Sequence, residues 1–400
     1  MQTSSLTVIL AALSMIGALG IDTYLPALPS IASAFGIDEL VVGQTLTVYI
    51  LAFAVMMLFH GTVSDSFGRR PVILVSLVVF SLASLGAMLA SSIGMLLWMR
   101  VLQGAVAGAG GVIARAMIND RFDALHAHKV MAHVMMVFSV APAIAPVLGG
   151  YLQSVAGWRG VFAFLAVVGA ALAVVCYHRL PETLAPDKRH PFELRRIARG
   201  YLETALHARF MAMSLSIALV FIAIPLYIGS AASFVIGILH LDARSFAWMF
   251  FPVVGGLMGG AWVSSKLALY VSSGRIVASG FALMLIAACA NVVYNSFFTA
   301  AVPWAVVPLF LNAFGLSICN PAMFIATLSL FPAARGRAAS LQGFVQMVTF
   351  AIVAGLVAPL VQHNALHLAL VHLCGLLAGI GLWFAVPGHT TAMSGRTQRA

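Results

Sequence analysis

The sequence predicts an all-α polytopic membrane protein with twelve membrane-spanning helices in two bundles of six. Three observations carry this. Of the 400 residues, 62% are hydrophobic and only 8% are charged, whereas a soluble domain has about 25% charged residues. Runs of roughly 18–25 apolar residues recur along the chain, each long enough to cross ~30 Å of hydrocarbon as a helix. A basic stretch rich in proline and charge divides these runs six and six. The alternation of a β-barrel is absent.

The first set begins with Leu6–Pro29, where Pro26 and Pro29 end or kink the helix. Val41–Gly61 and Val72–Ser91 follow, joined by a tight turn that Gly61 and Gly68 permit. Met95–Ile118 is terminated by the stretch RAMIND, Arg115 to Asp120; Val130–Gln153 and Val161–Tyr177 complete the bundle. The second set is Met211–Ile238, Phe246–Lys266, Ile276–Asn295, Pro303–Leu330, Ala338–Gln362 and Leu366–Val386. The expected organisation is an N-terminal bundle over 1–177, a cytoplasmic linker over 178–209, a C-terminal bundle over 210–386 and a cytoplasmic tail over 387–400. Two six-helix halves suggest a central pathway between them.

Lys and Arg favour short cytoplasmic loops. With the N-terminus inside, 18 of the 21 basic residues fall on or next to the cytoplasmic side. Arg159 and Arg244 fall outside, and Arg100 lies within a span. The net charge of +10 is therefore a topology signal, and no nucleic-acid partner is implied. The first span is too long for a signal-peptide core and is expected to remain as an uncleaved helix. The four cysteines, Cys176, Cys289, Cys319 and Cys374, lie in different spans without a CxxC pair, which argues against a disulfide or metal framework. His126, His128 and His133, or His363, His367 and His372, invite a metal reading, but no carboxylate or Cys accompanies either group and no metal is expected. There is no phosphate-binding P-loop and no nucleophile–base constellation. No enzyme activity and no cofactor are expected, and energy for any transport must come from an ion gradient or from a substrate's own gradient.

Between the second and third spans the chain reads GTVSDSFGRRP, Gly61 to Pro71. Gly61, Asp65, Gly68, Arg69 and Arg70 in this spacing resemble the signature loop of the major facilitator superfamily, whose twelve-span layout agrees over essentially the whole chain. The resemblance implies that Asp65 is a conformational latch, meeting the start of the eleventh helix near Gly336–Ser340, where a carboxylate faces the positive end of a helix dipole. The corresponding second-half loop, SSKLALYVSSGR, has lost its acid and keeps Lys266, Gly274 and Arg275.

Three further stretches narrow the resemblance. LLWMRVLQGAVAGAG in the fourth span, with Arg100, Gln103, Gly104 and Gly108, is similar to a motif of proton-coupled members. APAIAPVLGG in the fifth, with Ala141, Pro142, Pro146, Gly149 and Gly150, is similar to the antiporter motif, although Ala132, Ala141 and Ala145 stand where glycines are usual. DTYLPALP, NPAMFIATLSLFP and GRAASLQG, in the first, tenth and eleventh spans, resemble the Bcr/CflA group of drug:proton antiporters. That implies export of small, amphipathic, drug-like compounds in exchange for protons across a bacterial inner membrane, by one chain acting as a monomer in the lipid bilayer. The alternative is a transporter of a single metabolite by symport or facilitated diffusion.

Asp22 is the acid placed inside a span, at a cost of roughly 2.5–3.5 kcal/mol on permissive scales, so a functional role facing a cavity is expected. Asp22 lies seven residues before Pro29 and Arg100 six after Gly94. At 1.5 Å per residue both sit roughly 10 Å below the outer boundary and could face one another, as a pair or through shared water. Asp22 then exchanges a proton or binds a cationic substrate; the competing reading is an interfacial acid that caps a proline-broken helix end. Gln44, Tyr49, Gln103, Asn312, Asn320, Gln342 and Gln346 are polar groups that either orient a substrate or glue helices together. Tyr24, Phe53, Tyr227 and Phe234 are candidate aromatic walls, or simply membrane-core packing.

Overall fold

The computed structural model describes residues 3–189, 191–242 and 244–386; the tail assigned to 387–400 lies outside them. Every regular element among the described residues is helical. Ten helices are long and apolar enough to cross a membrane. One of them, Lys129–Arg179, has 51 residues and would run about 75 Å, far more than one crossing needs. Gly157, at φ 65° and ψ −177°, breaks it into the fifth and sixth spans. A bent pair, Ala208–Val220 and Ala223–Gly229, turns by 50° and supplies the seventh span. The sum is the expected twelve.

The chain divides into two compact units, Met1–Leu194 and Arg195–Ala400. The boundary between the units falls after Leu194, the first residue of the helix Leu194–Ala205, within the stretch 178–209.

In the first unit, span 1 runs over Leu6–Phe35, past the expected end at Pro29. Its helix stops at Asp22; a 3₁₀ turn over Leu25–Ala27 and a helix over Leu28–Phe35 follow. Pro26 and Pro29 each sit at the start of one of these pieces, where a missing N–H is harmless, so they restart the helix after the break. Span 2, Glu39–Met57, is followed by a further helix, His60–Phe67. Gly61 therefore lies inside a helix with nothing within 4 Å of a Cβ added to it, and the turn itself is made by Gly68 at φ 100°. Span 3 is Arg69–Met88, and span 4, Ile93–Arg121, is divided at Gly108.

In the second unit, spans 8 to 12 are Ala247–Leu267, Ser273–Phe297, Trp304–Leu328, Pro332–Val361 and Ala365–Ala385. Spans 7, 9, 10 and 12 share a core of Met213, Ile217, Phe281, Met284, Leu316, Met323 and Trp383. Large apolar side chains such as Trp98, Leu82 and Leu360 are exposed on the spans, as expected where hydrocarbon replaces water.

Candidate functional site

Arg100 is the organising residue of the first unit. Ser92 caps the helix that carries it, accepting from the Met95 amide at 3.2 Å. One turn beyond Arg100, Gly104 lets spans 2 and 4 touch: a Cβ there would lie 2.1 Å from the Tyr49 carbonyl oxygen. This contact delivers the Arg100 guanidinium, 0% exposed, between two aromatic faces, with Cζ 4.5 Å from the Tyr24 ring centroid and 4.2 Å from that of Tyr49. Such stacking stabilises a buried cation. Its Nη1 donates to the Gly20 carbonyl at 2.9 Å and to Gln103 Oε1 at 3.1 Å, and its Nε to the Thr45 carbonyl at 3.4 Å. The Nη2 group is buried without a partner.

The surrounding groups are fixed in turn. Gln103 donates to Ser84 Oγ at 2.7 Å, and Ser84 to the Phe80 carbonyl at 2.6 Å. The Tyr49 hydroxyl donates to the Gly17 carbonyl at 3.1 Å, and the Tyr24 and Thr45 hydroxyls lie 2.5 Å apart. Two sequence candidates, Tyr24 and Tyr49, are thereby wall residues of an arginine cage.

Asp22 is buried, 4% exposed, at the last residue before the break in span 1. Among the described residues no ion pair joins it to Arg100. The expected direct pair is not formed, because the guanidinium is turned onto carbonyls and rings. The antiporter-motif glycine Gly149 packs against the same break: a Cβ there would lie 2.1 Å from the Thr23 carbonyl oxygen. Ala141 is buried, and Pro142 and Pro146 lie inside the fifth-span helix.

The remaining candidates separate. Phe53 wedges its ring against Gly17 and Gly108, beside the break in span 4. Gln44 reaches back to its own helix at Leu40. In the second unit Tyr227 accepts from Asn291 Nδ2 at 2.9 Å and meets Phe234 edge-on, while Asn312 Nδ2 and His372 Nε2 lie 2.8 Å apart. Gln342 is buried with neither end of its amide partnered. Asn320 and Gln346 are half-buried. No three metal-ligating side chains converge among the described residues; the His128 side chain lies outside them.

The signature segment builds a second charged site. Arg69, 6% exposed, pairs with Asp65, donates from Nη1 to Ser64 Oγ at 2.7 Å and from Nε to Asp120 Oδ2 at 3.1 Å. Asp120 also accepts from Thr183 Oγ1 at 3.1 Å. Glu182 accepts from the Arg69 and Arg70 amides at 3.1 and 3.2 Å, satisfying free N–H groups at the start of span 3. A Cβ on Gly68 would lie 2.6 Å from Glu182 Oε2, so the glycine serves both the turn and the docking of Glu182. Arg70 donates from Nη2 to the Tyr177 carbonyl at 2.6 Å. Sequence reasoning placed Asp120 only at a helix end and missed Glu182; the one available signal was an acid next to a proline just past span 6.

Comparisons with known proteins agree with this architecture. A family model described as Major Facilitator Superfamily matches residues 10–354. The chain is 27% identical over 356 residues to a bicyclomycin resistance protein homolog of Haemophilus influenzae, covering 89% of each chain. It is 27% identical over 358 residues to multidrug resistance protein D of Escherichia coli, covering 90% of this chain and 89% of that one. Among solved structures, a bacterial homolog of the human lysosomal transporter Spinster, inward-facing and occupied, superposes with a TM-score of 0.74 at 16% identity, covering 97% and 96% of the two chains. A D-xylose–proton symporter gives a TM-score of 0.71 at 16% identity over 96% and 98%; likenesses this distant speak for the fold alone. The family match spans both units and both charged sites, and the chain belongs to the Major Facilitator Superfamily.

Proposed function

We propose that this transporter exports small amphipathic, drug-like compounds across a bacterial inner membrane in exchange for protons, with both termini cytoplasmic and Asp22 as the exchanging group. The observation that carries the reading is a buried carboxyl with no ion partner among the described residues, seated at a helix break two residues after Gly20, whose carbonyl accepts from the caged Arg100. A charge in that position is expensive, so it is neutralised by a proton or a cationic substrate, and each exchange changes the local energy. Arg100 keeps its charge whatever Asp22 does, because carbonyls and aromatic faces solvate it; it sets a fixed positive field beside the exchanging group. The names of the relatives, a bicyclomycin resistance protein homolog and a multidrug resistance protein, support drug-like substrates. The antiporter-type glycine packed on the break beside Asp22 supports exchange over symport.

The test is proton release from acid-inside everted vesicles on addition of chloramphenicol and of cationic dyes, with wild type compared to Asp22→Asn at equal expression. Wild type is expected to release protons with at least one compound, and the variant to lose that signal. Equal signals from both would make Asp22 structural. No proton signal with any compound would favour the narrow metabolite transporter.

A further inference from the structure

The helix Leu194–Ala205 lies outside the spans and takes no part in the sites above. Its position is fixed from two sides. Gly200 lies against Arg337, whose Nη1 would be 2.2 Å from a Cβ on the glycine, and the Tyr201 hydroxyl bonds Ser340. Arg337 and Ser340 belong to the first turns of the helix Arg335–Ile352 in span 11. At its other end, Leu206 continues the helical pattern by donating to the Leu202 carbonyl at 2.8 Å, and His207 caps span 7 by accepting from the Phe210 amide at 3.2 Å. The helix therefore lies level with the points at which spans 7 and 11 enter the membrane.

Its faces differ sharply. At about 100° per residue, Gly200, Thr204 and Ile197 fall together on the docked side; Gly200 and Thr204 are buried. Leu194, Ala198, Leu202 and Leu206 fall within about 120° of arc on another side, and the three leucines are 56%, 59% and 75% exposed. Arg195 falls within that arc, between Leu202 and Leu206, Arg199 lies about 20° past Leu206 and Arg196 about 80° past it, all exposed; Arg199 Nε also lies 3.9 Å from Glu203 Oε1. Phe192, two residues before the helix, is also exposed. An apolar strip with Arg195 on it and Arg199 at one edge, at the height of the membrane surface, has the pattern of a helix lying in a lipid interface, with its leucines in the acyl boundary and its long arginines reaching up to the headgroups. The positive charge selects anionic headgroups.

We infer that the helix Leu194–Ala205 is a membrane-surface binding site for anionic phospholipid of the leaflet in which spans 7 and 11 begin. The inference is independent of the transport reading, and its test measures depth and lipid contact, not transport. The full-length protein, with the exposed Cys289 and Cys374 changed to Ser, carries one fluorophore through Leu202→Cys or Glu203→Cys. It is reconstituted in phosphatidylcholine vesicles with and without added phosphatidylglycerol. A nitroxide on the shallow acyl chain is expected to quench the label at 202 about twofold more than that at 203, and aqueous iodide to show the reverse order. Phosphatidylglycerol should increase the lipid quenching at 202, and Arg195→Gln, Arg196→Gln and Arg199→Gln together should abolish that increase.

Equal access of iodide to both positions would overturn the inference. So would lipid quenching at 202 that ignores phosphatidylglycerol and the three substitutions, or protection of both positions from both quenchers, which would point to a protein partner. A second measurement needs no label: after detergent extraction, wild type should retain more phosphatidylglycerol than the triple arginine variant by native mass spectrometry, with phosphatidylcholine retention unchanged. Equal phosphatidylglycerol retention would also overturn it.

Discussion

Arg100 and Arg69 are both buried arginines of the first unit, yet they are held in opposite ways. Arg100 has only neutral partners: two carbonyls, one side-chain amide and two aromatic faces. Arg69 is ringed by carboxylates, with Asp65 and Asp120 on its side chain and Glu182 on its amide. Neutral solvation fixes a charge without compensating it, so a field remains for a mobile ion to answer. Carboxylate pairing compensates the charge locally and leaves bonds that can be exchanged, since Asp65 is 42% exposed while Arg69 is not. The first arrangement suits ion exchange and the second suits a reversible fastening.

The most severe way to break the comparison is Arg100→Lys, which keeps the charge but loses the planar fork. An ammonium group cannot meet Gly20, Thr45 and Gln103 together or stack between Tyr24 and Tyr49. Two or more buried acceptors would lose their donor, at about 1–3 kcal/mol each. The variant should unfold several degrees lower in detergent. With the exposed Cys289 and Cys374 changed to Ser, a thiol-reactive dye can read this through the buried Cys176 and Cys319, and an unchanged midpoint would mean that charge alone matters in the cage.

At Arg69 the expected effect on stability is smaller and that on function larger. Asp65→Asn removes one partly exposed ion pair, worth at most about 1 kcal/mol, while Asp120, Ser64 and Glu182 continue to hold Arg69 and its amide. The unfolding midpoint should scarcely move, yet transport should slow if Asp65 is a latch in the cycle. Transport at the wild-type rate would reduce Asp65 to a local partner of Arg69.

Both sites were half visible in the sequence. Asp22 and Arg100 stand out because a single charge in an apolar run has few explanations, and the twelve spans follow from hydropathy and length. The orientation of the guanidinium is not readable, since carbonyls of Gly20 and Thr45 carry no mark in a residue string. Glu182 was hidden for a related reason: it meets Arg70 across 112 positions of chain and looks like any linker charge. Gly61 misled in the other direction, because a glycine four residues before a signature acid suggests a turn, while it lies in the first turn of the helix His60–Phe67 and Gly68 makes the turn.

The subtlest test of neutral against ionic holding lies in the second unit. There Gln342 is buried with both amide atoms unpartnered, a neutral counterpart of the unpartnered Nη2 on Arg100. An orphaned buried polar group costs about 1–3 kcal/mol, and an apolar residue of similar shape recovers part of that. Gln342→Met should therefore raise the unfolding midpoint slightly, by the equivalent of about 1 kcal/mol. If the amide is kept for contact with substrate or water during the cycle, the stabilised variant should transport more slowly. A rise in stability with transport unchanged would make Gln342 an imperfection of packing; a fall in stability would mean that the amide is satisfied in the membrane-embedded protein and belongs to the scaffold.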